Sequence, residues 1–454
     1  MKIIIVGDGK VGVALTEQLS KEGHDIVIID SDLKVLQQNV QDYDVMVVHG
    51  NGATMSALKE AGVETADLVI AATSADEINM LSCILAKKLG NRIHTIARVR
   101  NPEYVQQLMI LREEIGLSMT INPEFAAARE IYRILQFPSF LKRETFVRGR
   151  VEIVEMKVKK DSPLCGRTLS SVQEASRVKA IICAVVRGSE VYIPNGDFVL
   201  EEGDKISVTA DTKDLSTLIK YLGLEEHKIK NVMIIGGSRT AYYLAKQLTE
   251  AKINVKIIEK RIERCEILAD MLPKAAVVEG DGSMPALLEE EGLSQADALV
   301  SLTDFDEENI IIALHAMRIG VKKNIPKINR QEYVDICQSM GIDSIISPKK
   351  LCTNEIVRYV RSVENTEGGS VLTLHHIADG KAEALEFIVD KTTRNLRTPL
   401  AKIRFKKNLL IARINRKGKS FSPGGQDYFD IGDRVILVTK AEQNIFDLND
   451  IFAE

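Results

Sequence analysis

A chain of 454 residues is too long for one ordinary core, so roughly two to four domains are expected. Hydrophobic content of 45% and charged content of 27% are those of a soluble globular protein, and a net charge of -4 leaves no footprint for nucleic acid. The absence of Trp removes base-stacking platforms, and no apolar run approaches the roughly 18 residues that would suggest a membrane-spanning helix.

The elements alternate from the start. Ile3–Val6 is a short continuous apolar run, as expected of a buried parallel strand, and beginning at Lys2 it leaves no room for a signal peptide. Gly7-Asp8-Gly9-Lys10-Val11-Gly12 follows, a complete G-x-G-x-x-G placed between strand and helix. Gly7 permits a tight turn, Gly9 lets a phosphate approach the backbone, and Gly12 lets the helix pack on the strand. The helix N-terminus offers N–H donors and a partial positive charge to a pyrophosphate. Helix Val11–Glu22 carries Val11, Leu15 and Leu19 on one face. Strand His24–Asp30 ends in an acid placed to accept hydrogen bonds from ribose hydroxyls. That favours NAD(H), ADP or ATP and disfavours a 2′-phosphate, since Ser31 and Asp32 follow rather than an Arg.

Leu33–Asn39 reads as a helix and Val45–His49 as a third strand. Gly50 and Asn51 then lie near where an adenine would sit and are candidate backbone contacts, whereas His49 reads as a satisfied strand-end histidine. Helix Met55–Ala61 stops at Gly62, and Leu68–Ala72 is a fourth strand. Thr73 and Ser74 after it either contact a ligand at the sheet's C-terminal rim or help to start helix Glu77–Leu89, or both. Ile93–Val99 is a fifth strand, and Arg98 and Arg100 at its end either reach a phosphate or subunit interface or are solvated charges. The order predicts a doubly wound parallel sheet. Pro123–Gln136 is one more helix, capped by Asn122 and broken by the segment 136–144. From Arg150 the pattern turns to short alternating strands, Val151–Val158, Lys179–Arg187 and Lys205–Ala210, which predicts a small α+β domain.

After a charged linker, Glu225–Lys230, the order recurs. Residues 232–241 repeat residues 3–12 about 229 positions on, a period that means a duplicated domain pair. Asp30 matches Glu259, Gly50 matches Gly280, and Asp76–Asn79 matches Asp306–Asn309. At nearly constant offset Arg100 falls on Arg330 and Arg98 on Ile328. Arg187, Pro194 and Gly203-Asp204 recur as Arg416, Pro423 and Gly432-Asp433. The second glycine loop is degenerate: Gly236, Gly237, Ser238, Arg239, with the Ser238 Cβ crowding phosphate approach. It is either a second nucleotide site, with Glu259 as ribose acceptor, or a relic turn.

No His, Lys, Tyr or Cys is set up for acid–base or nucleophilic work after the first nucleotide fold, and no catalytic or metal site is expected. The six cysteines form no CxxC and predict neither disulfides nor zinc. Two nucleotide folds without catalytic groups suit a ligand-reading regulator. An NAD-dependent oxidoreductase explains the first fingerprint but not the second copy, and a nucleotide-blind scaffold is the third reading.

The motifs GDGKVG with Asp30, HGNGA (49–53), ATSADEIN (72–79), ARVRNPEY (97–104) and INPE (121–124) closely resemble the regulator-of-potassium-conductance (RCK, or KTN) domain. SPLCGRTL (162–169), Arg187 and Gly203-Asp204 resemble the C-terminal domain that accompanies it. Over the whole chain the N–C–N–C order resembles the peripheral subunits of bacterial Trk potassium uptake systems. The resemblance implies two Rossmann-like α/β domains at 1–137 and 229–358, each followed by a small α+β domain, at 141–223 and 369–454. It implies a cytoplasmic homotetramer on the inner face of the membrane, regulating a potassium-conducting subunit of the TrkH or TrkG kind. It further implies binding of NAD(H) and of ATP or ADP without turnover. The family's nucleotide residues carry over onto Gly7, Gly9, Gly12, Asp30, Thr73 and Arg100, and onto Gly236 and Glu259.

Overall fold

The computed structural model describes residues 1–33, 36, 42–90, 92–136, 140–147, 151–176, 178, 180–210, 212–222, 228–342, 344–366, 371–443, 445 and 447–453. The first domain runs β1 (Lys2–Val6), α1 (Lys10–Lys21), β2 (Asp25–Asp30), β3 (Met46–His49), α2 (Met55–Glu60), β4 (Leu68–Ala71), α3 (Asp76–Leu89), β5 (His94–Arg98), α4 (Pro102–Ile115), β6 (Met119–Ile121) and α5 (Pro123–Gln136). Every strand pair is parallel, in the order β3-β2-β1-β4-β5-β6. Helices cover both faces, so Ile3, Ile4 and Ile5 are all fully buried and β1 has no polar alternation. The chain reverses between β1 and β4, which opens a crevice at the strands' C-terminal ends. The helix expected over Leu33–Asn39 falls largely outside the described residues. Strand β6 has three residues and carries no clear sequence signal, whereas helix α4 goes beyond the elements assigned above although Tyr104, Leu108 and Ile115 recur at helical spacing and meet the core.

The second domain contains β7 (Lys142–Phe146), β8 (Val151–Lys157), α6 (Leu169–Ser176), β9 (Ile181–Arg187), β10 (Glu190–Tyr192), β11 (Lys205–Ala210) and α7 (Thr212–Tyr221). Its antiparallel sheet has the order β10-β9-β11-β8-β7. The segment 136–144 does more than break a helix, because its last residues open the edge strand β7.

Both architectures then repeat. The third domain holds β12 (Asn231–Ile235), α8 (Arg239–Glu250), β13 (Asn254–Glu259), α9 (Ile262–Met271), β14 (Ala276–Glu279), α10 (Pro285–Glu290), β15 (Ala298–Ser301), α11 (Asp306–Ile319), β16 (Lys323–Pro326), α12 (Gln331–Ser339) and α13 (Pro348–Thr366). Its parallel sheet has the order β14-β13-β12-β15-β16, and a single parallel bridge, Lys327 to Ile346, stands where the first copy has β6. The fourth domain holds β17 (Val371–Ile377), β18 (Ala382–Ile388), β19 (Leu409–Arg416), β20 (Lys419–Phe421) and β21 (Arg434–Lys440), in the order β17-β18-β21-β19-β20.

Like packs with like. The two parallel-sheet domains form one compact unit, Met1–Tyr132 with Lys230–Val357, and the two antiparallel-sheet domains form another. In the second unit Phe146, Ile153 and Ala184 share a core with Ala384, Ala412 and Val438. The union is reciprocal: Ala378 N donates to Glu155 Oε1 at 2.7 Å, and Val147 N donates to Glu386 Oε2 at 3.2 Å. The repeated Arg and Asp of these domains hold the fold. Arg187 Nε and Nη2 grip both oxygens of buried Asp204 at 2.8 Å, and Arg416 grips Asp433 at 2.9 and 2.7 Å.

Candidate functional site

The first glycine loop separates three roles by geometry. Gly7 has φ +94°, and a Cβ there would lie 2.8 Å from the backbone of Thr73. A Cβ on Gly12 would lie 2.1 Å from Gly7 O, so only Gly lets α1 start this close to β1. Gly9 meets nothing within 4 Å. No protein atom needs its small size, which leaves open space over the loop. The α1 N-terminus there has no side-chain cap and no acid in its first turn. Gly52 is a further lock: its Cβ would sit 2.1 Å from Val6 Cγ1, and Gly282 stands likewise 2.2 Å from Ile235 Cγ2.

Asp30 ends β2 half-buried under this loop. Asp8 N donates to Oδ2 at 2.6 Å and Asp32 N to Oδ1 at 2.9 Å, while Gly50 N donates to the Asp30 carbonyl at 2.9 Å. Asp8 itself is buried, and Lys10 and Val11 open α1, Lys10 exposed and Val11 packed inward. Asn51 shapes the turn after β3, its side-chain oxygen accepting from Ala53 N at 2.9 Å. His49 Nε2 lies 3.1 Å from Ser31 O, a satisfied strand-end histidine.

Two buried residues organise the other wall. Asn79 Oδ1 accepts from Thr73 N at 2.8 Å and Thr73 Oγ1 at 2.7 Å, while its Nδ2 donates to Thr73 O and to Arg98 O. The Thr73 proton is thus committed, leaving its oxygen only as an acceptor. Asp76 Oδ2 accepts from Arg100 N and Asn101 N, both at 2.8 Å, tying α3 to the exit of β5. Arg100 Nη2 donates to Ser74 O at 2.6 Å. Neither Asn79 nor Asp76 counted among the sequence candidates, although the match of 76–79 with 306–309 was the signal for both. Asn309 and Asp306 repeat the geometry: Thr303 N donates to Asn309 at 2.8 Å, and Asn329 N and Arg330 N donate to Asp306 at 2.8 and 2.9 Å.

That repetition corrects the alignment at β5. Leu68 matches Ala298, but His94 matches Lys323, because the turn after α11 is one residue shorter than the turn after α3. Gly320 makes that tighter turn at φ +103°. Arg100 therefore corresponds to Asn329, not Arg330, and Arg98 to Lys327, not Ile328.

Arg98 and Arg100 face the joint between the parallel-sheet domains. Their guanidiniums stand 3.9 and 3.8 Å from Glu124 Oε1. Burial, then the charge of Arg100, holds the Arg98 pKa below its ordinary value. Tyr243 on α8 donates from its hydroxyl to Arg100 O at 3.2 Å and accepts from Asn122 Nδ2 at 3.2 Å, with Phe125 edge-on at 5.3 Å. Thus the helix that opens at the second glycine loop braces the wall of the first site.

The second loop differs. Gly236 repeats Gly7 at φ +94°, but a Cβ on Gly237 would meet Leu268 and Glu259 at 2.7 and 2.9 Å. Ser238 Oγ accepts from Ala241 N at 3.3 Å, so this helix caps itself. Glu259 is buried: Gly237 N donates to Oε2 at 2.6 Å, and Arg261 N and Nε donate to Oε1 at 2.9 and 3.3 Å. Arg264 Nε donates to Gly237 O at 2.7 Å, and Arg239 opens α8 exposed.

Among the described residues no His, Cys, Asp or Glu cluster could hold a metal, and no helix is long and apolar enough to cross a membrane. All six cysteines are free, and burial pushes the thiols of Cys83, Cys183 and Cys352 up to about 12.

Known proteins agree with this plan. Residues 3–123 and 232–348 match the TrkA-N domain family, and residues 153–223 match the TrkA-C domain family. The Trk system potassium uptake protein TrkA homolog 1 of Methanosarcina mazei is 32% identical over 448 residues, covering 97% of this chain and 98% of its own length. TrkA of Haemophilus influenzae is 32% identical over 460 residues, covering 100% of this chain and 98% of its own length. Among solved structures, the GsuK RCK domain has a TM-score of 0.65 at 18% identity, covering 97% of this chain and 92% of that one. The GsuK channel bound to NAD has a TM-score of 0.64 at 19% identity, covering 97% and 77%, and shares the fold. The tandem duplication, the glycine fingerprint and the full-length relatives converge: the chain belongs to the TrkA family of Trk potassium uptake proteins.

Proposed function

We propose that the chain is the nucleotide-reading regulatory subunit of a Trk-type potassium transport system. It binds NAD(H), and ATP or ADP, without turning them over. The observation that carries this reading is the first loop: Gly7 and Gly12 are locked by close backbone contacts, while Gly9 opens onto empty space beside an uncapped helix start. A pyrophosphate fits that cradle. Gly7, Asp8, Gly9, Lys10, Val11 and Gly12 form it, with Asp30 on the ribose side and Gly50 and Asn51 on the adenine side. Thr73, Ser74 and Arg100 form the opposite wall. Gly236, Gly237, Ser238, Arg239 and Glu259 hold the second ligand. NAD and ADP are named as ligands of GsuK structures that share this fold, which supports the ligand class.

The proposed setting is a cytoplasmic homotetramer, peripheral on the inner face of the membrane, acting on a conducting subunit of the TrkH or TrkG type. No nucleic acid takes part. A bound nucleotide biases the conducting subunit only through its difference in affinity between two arrangements of the regulator. Calorimetry against NADH, NAD, ATP and ADP tests the first step. Wild type binds, and Gly9→Val loses one site per chain while folding normally. Wild type that binds none of the four rejects the reading and leaves a scaffold.

A further inference from the structure

The two copies carry different charge at the glycine loop and the end of the second strand. At the first loop and β2 end stand Asp8, Asp30, Asp32 and Lys10, with Lys34 two positions further along the sequence. At the matching positions of the second stand Gly237, Glu259, Arg261 and Arg239, and Arg264 joins them from α9. Asp32 has become Arg261 on the adenosine-ribose side, where a phosphate on the 2′ oxygen would lie.

The remaining acid does not oppose this change. Both acids have both oxygens engaged by backbone N–H donors, of Asp8 and Asp32 in the first copy and of Gly237 and Arg261 in the second, but Asp30 is half-buried whereas Glu259 is 7% exposed. What faces solvent there is Arg261, 71% exposed and bound to Glu259 only through Nε, so its terminal amino groups point to no other acceptor among the described residues. Lys260 is taken by Asp281 at 2.7 Å and does not contribute. Arg264 is half-buried against Gly237 O; burial holds its pKa below the ordinary value, the Glu259 carboxylate works against that shift, and the neighbouring Arg261 and Arg239 add to it, so a second cation stands beside Arg261.

We infer that the second site takes a dinucleotide of the 2′-phosphorylated class, held by Arg261 and Arg264, while the first site takes the unphosphorylated ribose. This rests on the nucleotide-binding reading and divides it between two ligands. One chain then reads two pools: the first loop with its acids excludes the extra phosphate that the second loop recruits.

Titration of the full-length protein with NADPH and with NADH tests the division, using wild type, Gly9→Val and Arg261→Asp. The expected result is one NADPH site per chain that survives Gly9→Val and weakens by about tenfold or more in Arg261→Asp, the effect of removing one charge-assisted phosphate contact. NADH binding at the first site is the folding control for Arg261→Asp. NADPH binding that is lost in Gly9→Val, or that is unchanged in Arg261→Asp, overturns the inference. NADH binding with no NADPH binding also overturns it while leaving the nucleotide reading intact; loss of both ligands defeats the reading beneath it.

Discussion

At the scale of single residues, the first loop sorts three identical amino acids into two kinds of need. Gly12→Ala puts a Cβ 2.1 Å from Gly7 O, so the turn must move. Alanine favours the helix by about 1 kcal/mol, but overpacking against backbone outweighs that, and a net loss of about 1–3 kcal/mol is expected in chemical denaturation. A Cβ at Gly9 meets no protein atom within 4 Å, so Gly9→Val should unfold close to wild type. Glu259 offers a pH test. Burial pushes its carboxyl up, but the N–H groups of Arg261 and Gly237 and the Arg261 guanidinium together hold it below the ordinary carboxylate range. A depressed carboxyl stabilises the fold fully above its unfolded pKa, near 4.3, and the contribution fades as pH falls through the lower folded value. Thermal melts of wild type and Glu259→Gln should therefore differ at pH 6 and converge as acid is added below about pH 4. The glycines and strand-end acids were legible in the sequence because their spacing carries the chemistry. The burial of Glu259 was not, since side-chain length alone separates it from Asp30.

At the scale of elements, each parallel sheet is closed by one buried asparagine. Asn79 joins the β4 loop to the end of β5, and Asn309 does the same between β15 and β16. Asn79→Ala strands the Thr73 N–H and the Arg98 carbonyl in a buried place, a loss of about 2–4 kcal/mol, and should weaken nucleotide binding more than the equivalent stability loss from a remote core site. The Tyr243 hydroxyl bridges Arg100 O and Asn122 across the joint between the domains. Tyr243→Phe should cost about 1 kcal/mol and make binding at the two sites more independent, read as a change in the shape of a two-site calorimetric isotherm. Long, evenly patterned elements such as α5 and β11 were readable from spacing, with observed bounds equal to those expected. Strand β7 was not, because a charged edge strand shows no period, and helix α4 was missed although Tyr104, Leu108 and Ile115 recur at helical spacing. The one-residue shortening after α11 is likewise invisible until the ladders are paired, and it shifted the partner expected for Arg100.

At the scale of the whole molecule, the duplication explains the architecture: each kind of domain packs against its own copy, so the two unions are interleaved along the chain. The pairs Arg187–Asp204 and Arg416–Asp433, each a partly exposed guanidinium on a buried carboxylate, are the same device used twice. Asp204→Ala removes both bonds to Arg187 and the one from Glu201 N, while Arg187 keeps Glu201 Oε1 at 2.7 Å and Val199 O at 2.8 Å, so a loss of about 1–3 kcal/mol is expected, without altered nucleotide affinity once the protein is folded. The two copies differ in their nucleotide loops, which suits a regulator that distinguishes ligands rather than one that doubles a single response.

The central claim, that nucleotide occupancy of this chain governs potassium movement, is tested most directly by flux. A Trk-type conducting subunit reconstituted in liposomes would be assayed for potassium uptake with this protein added, in the presence and absence of NADH, ATP and ADP. Flux should change with at least one nucleotide, and the change should shrink in Gly9→Val, which removes only the first site. Flux that depends on the protein yet ignores every nucleotide would contradict the account.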